Sequence, residues 1–181
     1  MGVAWGWRWF PRFKWPGHVM SIATSWRCVG RRRGYRIVSV IAEDPRPLPF
    51  FVYGTLRPGE ANHDLFLRGR TLAEEPGHLT GAVLYDGPGH PYAVEEPGGT
   101  VRGELVTARP ESYEDLLAAL DRLEEYVPGD PRNLYERAAR DVVRTGGGTV
   151  RAWVYLAAPR VAARLRATGT RVPDGDWLSR R

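Results

Sequence analysis

Residues 111–126 hold the one long stretch with helical periodicity, and strand-like runs surround it on both sides. That arrangement limits the fold more than any other feature. Apolar or alternating runs at 50–53, 79–85, 92–95 and 101–108 precede the helix, and two more, Tyr135 to Arg144 and Thr149 to Ala157, follow it around the glycine turn at 146–148. Shorter helices are expected at 62–68 and 160–167, with a tail at 172–178. Several strands surround one long helix without the alternation of βαβ units. The pattern predicts an α+β protein: a small mixed or antiparallel β-barrel with flanking helices.

Pro45, Pro47 and Pro49 form a stiff linker, which sets a domain from about Leu48 to the end of the chain apart from an irregular arm at 1–47. The net charge of +5 is unevenly shared between them. The arm carries nine Lys or Arg against two acids, whereas the remainder carries seventeen against nineteen. The basic character therefore belongs to the arm, and a nucleic-acid partner is not expected for the domain. Five of the seven tryptophans also lie in the arm, without helical or strand periodicity. Two readings of it stay open: a disordered tail or over-extended start (Met20 being an internal alternative), or a basic aromatic arm that touches membranes or RNA. Charged residues interrupt every apolar run there, so neither a secretory signal nor a membrane span is expected. The single cysteine, Cys28, excludes disulfides within the chain and fits a cytoplasmic protein.

The domain is informative by what it lacks. From Leu48 onward there is no Cys and no Lys, and the two serines, Ser112 and Ser179, sit in no nucleophile elbow. His63, His78 and His90 lie in separate segments without metal-ligand spacing and read as surface or loop residues. What remains for catalysis is a carboxylate. With Leu120 at zero and about 100° per residue, Tyr113, Leu116, Leu117, Leu123 and Val127 form one apolar stripe, and Glu124 falls inside it. Glu114, Asp121 and Glu125 fall at its edge or in solvent. A glutamate on a buried face is disfavoured as the anion, so its pKa rises towards that of a proton shuttle. It is either functional or neutralised by a partner such as Arg137.

The run Phe50-Phe51-Val52-Tyr53-Gly54-Thr55-Leu56-Arg57-Pro58-Gly59 supplies a second candidate element. A buried strand feeds directly into a small-residue turn, leaving amides without ladder partners that can hold an anion such as a carboxylate.

With these pieces in place, the chain from about Phe50 to Leu178 resembles the γ-glutamylcyclotransferase-like family. Four short motifs carry the resemblance in order: Tyr53-Gly54-Thr55-Leu56-Arg57, Leu120-Asp121-Arg122-Leu123-Glu124, Tyr135-Glu136-Arg137 and Gly175-Asp176-Trp177. The arm has no counterpart in the family pattern. The resemblance implies a small mixed β-barrel with flanking helices, a γ-glutamyl group held by the loop of Tyr53, Gly54, Thr55 and Leu56, and Glu124 as acid/base. It further implies cleavage of a small-molecule γ-glutamyl amide to 5-oxoproline and a free amine, with no metal or cofactor. The Tyr-Gly-Thr-Leu-Arg form is closer to members acting on γ-glutamyl-amine conjugates than to the glutathione-specific branch. One departure stands out: many members have glycine after the acid/base glutamate, where this chain has Glu125, whose helical angle points it to water. Tyr53 and Tyr135 either line the pocket or pack the core. Arg57 either assists carboxylate binding or, as the commoner case, is solvated. Two rivals remain at this stage, a non-catalytic relative that binds a small carboxylate and an interaction module acting through its arm.

Overall fold

The computed structural model describes residues 47–180, so both readings of the arm lie outside the described residues. In chain order the elements are β1 (Phe50–Val52), α1 (His63–Phe66), β2 (Thr71–Tyr85), β3 (Tyr92–Ala108), α2 (Tyr113–Leu123), β4 (Tyr135–Arg144), β5 (Thr149–Ala157) and α3 (Pro159–Thr168). A 3₁₀ turn, Pro110–Ser112, leads into α2, and two more, Pro173–Gly175 and Trp177–Arg180, form the tail. The five strands close into a barrel in the order β1-β3-β2-β4-β5. All pairings are antiparallel except the closing one, where Phe50 meets Trp153 in parallel. The expected α+β barrel is therefore the observed architecture.

β4 and β5 occupy the expected residues, whereas β2 and β3 are much longer than their apolar runs. Residues 71–78 include Pro76 and Gly77, which ordinarily argue against a strand. Here they pair with Glu104 and Gly103 respectively. The runs at 92–95 and 101–108 are one strand, bent where the register shifts between Thr80 and Ala82. Gly103 shows why a small residue sits inside it: a Cβ there would lie 2.3 Å from the Val52 carbonyl oxygen, so the end of β1 approaches β3 this closely only at a glycine.

Strand alternation divides the core. Phe50 and Val52 join a cluster with Leu116 and Leu120 of α2 and Val161 and Leu165 of α3. Phe51 and Tyr53 join Leu84, Leu105, Val154 and Trp177. Both faces of β1 are thus buried, as its unbroken apolar run requires. No helix among the described residues is long and apolar enough to cross a membrane.

Candidate active site

Helix α2 ends at Leu123, three residues before the expected terminus. The amide of Glu125 donates to the Arg122 carbonyl at 3.3 Å and that of Tyr126 to Asp121 at 2.8 Å, the two bonds of a Schellman cap. Glu124 is the C-cap and Glu125 the following residue, with φ of 51° in the left-handed region. Pro128 disfavours a helical Val127 and so supports the stop. Two expectations change accordingly. Val127 leaves the apolar stripe and is 56% exposed. Glu125 does reach solvent, but because the chain reverses there rather than through a helical angle. Its left-handed backbone accounts for the preference for glycine at such a position. Glu125→Gly is expected to raise stability by about 0.5–1 kcal/mol, read as a higher urea midpoint at unchanged slope.

Glu124 itself remains largely buried. Removal from water raises its carboxyl pKa from the ordinary 4.5 to about 7. The C-terminal end of the α2 dipole, negative at this cap, acts in the same direction. Among the described residues no hydrogen bond or ion pair reaches its carboxyl group. Arg137 is not its counter-ion: Arg137 Nε lies 3.4 Å from Asp121 Oδ1, and the guanidinium stacks over Trp153 and Tyr126. Asp121 also accepts from the Tyr155 hydroxyl at 2.7 Å. The neighbouring acid on the helix edge is therefore the one that is neutralised, and Glu124 is left free to exchange a proton.

Glu124 faces a cavity of about 270 Å³, whose wall includes Tyr53, Gly54, Thr55, Leu56 and Tyr135. All six residues singled out in the sequence thus border one space. The turn after β1 is tied by Arg57 N–H to the Gly54 carbonyl and Asn62 N–H to the Thr55 carbonyl, each at 3.0 Å. The Asn62 amide group also donates to Thr55 Oγ1. The amides of Gly54, Thr55 and Leu56 donate to no backbone carbonyl of the described residues. Gly54 packs on Pro91 so closely that a Cβ would lie 2.8 Å from the ring.

The two tyrosines combine both roles left open for them. The Tyr53 hydroxyl donates to the Tyr155 carbonyl and accepts from Ala93 N–H. The Tyr135 hydroxyl donates to the Pro91 carbonyl at 2.8 Å, and its ring stacks on Tyr92 at 4.8 Å. Burial, followed in Tyr53 by the nearby Glu124, raises both phenol pKa values, so each stays a neutral donor. They shape the wall and are committed to backbone carbonyls.

Arg57 departs from its expectation. It is buried, not solvated, with 7% of its surface exposed. Its guanidinium forks onto Glu104 at 2.6 and 2.9 Å and reaches Asp176 at 2.5 Å. It clamps the turn to β3 and to the tail and does not line the cavity.

Sequence reasoning missed the parts played by His90, Tyr155, Asn133 and Asp121. His90 belongs to a loop, as expected, yet it borders the cavity and contacts the Tyr92 hydroxyl at 3.0 Å. His63 is partly buried against Glu74 at the start of α1, and His78 is a residue of β2. Tyr155 joins the wall from β5. Asn133, 4% exposed, binds both the N–H and the carbonyl of Val127 and so holds the loop between Glu124 and Tyr135. Asp121 couples α2 to β4 and β5. The pairings of Asp121 with Arg137 and Tyr155 have no short-range signal, since they join elements distant in the chain.

Glu124, at the cap of a helix packed on the five-stranded barrel, thus borders one cavity with the turn after β1. The γ-glutamyl cyclotransferase, AIG2-like family matches residues 50–179, and the chain belongs to that family. It is similar to a γ-L-glutamyl-butirosin B γ-glutamyl cyclotransferase of Niallia circulans, with 39% identity over 107 residues. That match covers 59% of this chain and 64% of the relative, a little under two thirds of its length. A putative γ-glutamylcyclotransferase of Vibrio cholerae is 35% identical over 133 residues, covering 72% of this chain and 95% of its own. A solution structure from Arabidopsis thaliana is 27% identical with a TM-score of 0.51, over 68% of this chain and 69% of that one.

Proposed function

We propose that the protein is a γ-glutamyl cyclotransferase that converts a γ-glutamyl amide to 5-oxoproline and a free amine, with Glu124 as general acid/base. One observation carries the reading: a largely buried carboxyl with no partner among the described residues borders the same cavity as a turn whose amides donate to no backbone carbonyl. The substrate's α-nitrogen attacks its own γ-carbonyl carbon, forming the ring C–N bond while the bond to the amine breaks. Being intramolecular, the step needs no enzyme nucleophile, in keeping with a domain without Cys or Lys. The α-ammonium gives up two protons overall, and the departing nitrogen takes both to leave as an ammonium ion. Glu124 as carboxylate accepts the first and as acid returns it. The amides of Gly54, Thr55 and Leu56 bind the α-carboxylate or the developing oxyanion, while Tyr53 and Tyr135 confine the folded chain.

The test incubates purified protein with a panel of γ-glutamyl amides and follows 5-oxoproline by mass spectrometry. Release from at least one member is expected. Saturable binding without release from any member would overturn the reading in favour of a non-catalytic carboxylate binder.

A further inference from the structure

We infer that Glu125 selects the leaving amine, favouring γ-glutamyl amides whose amine carries a further positive charge over neutral ones and disfavouring anionic ones. This rests on the cyclotransferase reading above. Glu125 occupies the left-handed position of the α2 cap, where the backbone favours glycine, so its side chain carries a conformational penalty. It borders the same cavity as Glu124 but is exposed, which puts its carboxylate at the mouth. No hydrogen bond or ion pair holds that carboxylate among the described residues.

The cavity wall contains neither Arg nor Lys. Arg57 is taken up by Glu104 and Asp176, and Arg137 by Asp121. The lining therefore brings two carboxyl groups, Glu124 and Glu125, to the cavity and no Arg or Lys. The orientation of the substrate follows from the chemistry. Its carboxylate end belongs with the free amides after β1, and its leaving nitrogen must come within proton-transfer reach of Glu124. The group on that nitrogen then emerges beside the next residue in the chain, Glu125. A second ammonium on the departing group is attracted there, whereas a carboxylate is repelled.

The experiment uses three matched amides: the γ-glutamyl monoamide of 1,4-diaminobutane, γ-glutamyl butylamide and the γ-glutamyl amide of 4-aminobutyrate. For the wild type, kcat/KM is expected to fall in that order, and raised salt should compress the differences. In Glu125→Gln the ratio of cationic to neutral amide should drop about three- to fivefold, the size of one exposed charge contact. Glu125→Lys should invert the order. Glu125→Gly removes the charge with a relaxed backbone and should match the Gln variant, so a folding defect in either is recognised. An unchanged ratio in both charge-removing variants would overturn the inference and leave the cyclotransferase reading standing. No turnover of any amide by the wild type, with no charge preference in calorimetric binding of the same three, would overturn both.

Discussion

Glu124→Gln is expected to lower turnover of a γ-glutamyl amide by about 10²–10⁴-fold while substrate still binds, the usual loss when a positioned acid/base is removed. Glutamine keeps the volume of the side chain but can neither accept the ammonium proton nor return one to the leaving amine. The effect should therefore fall on kcat and not on affinity. The same variant has a stability signature that is independent of substrate. Burial raises the Glu124 pKa to about 7 in the folded protein, from 4.5 when exposed. Between those values the folded state holds a proton that the unfolded state has lost, so stability falls as pH rises through this window and levels off above it. Glutamine carries no such charge. Relative to wild type, Glu124→Gln should gain stability on going from pH 4 to pH 8, by about 3 kcal/mol. A flat difference across that range, by chemical denaturation, would count against a strained buried acid.

Arg57→Ala is expected to cost about 3–5 kcal/mol, because it leaves Glu104 and Asp176 as carboxylates with no counter-ion in a partly buried site. Loss on this scale is a large fraction of the stability of a domain this size. Lysine should recover little of it, since one ammonium cannot reproduce the fork onto both Glu104 oxygens and the reach to Asp176. Activity should fall as well, because the same guanidinium holds the turn that borders the cavity with Glu124. A urea midpoint within experimental error of wild type would show that Arg57 is not the clamp described here.

The barrel was legible because apolar and alternating runs bounded by turn residues mark strands, and β4 and β5 begin and end where those runs do. β2 was read short because Pro76 and Gly77 speak locally against a strand, while their partners on β3 lie some distance along the chain. The position of Glu124 was found by helical arithmetic that holds up to the cap, whose φ of −87° barely leaves the helix. One residue later the backbone turns left-handed, and the same arithmetic fails for Val127. Arg57 was misread for a different reason. Its two partners are 47 and 119 residues away, and only the closed barrel and the tail bring them to it. The four motifs nevertheless converge in pairs: Arg57 meets Asp176, Arg137 meets Asp121, and Tyr53 and Tyr135 share a wall with Glu124.

The most direct measurement is a carbon-13 NMR titration of protein labelled at the glutamate side-chain carboxyls, with Glu124→Gln identifying the resonance that disappears. That resonance should change protonation with a midpoint near 7. A midpoint at the ordinary glutamate value of about 4–5 would contradict the claim that this buried carboxyl is poised to carry a proton.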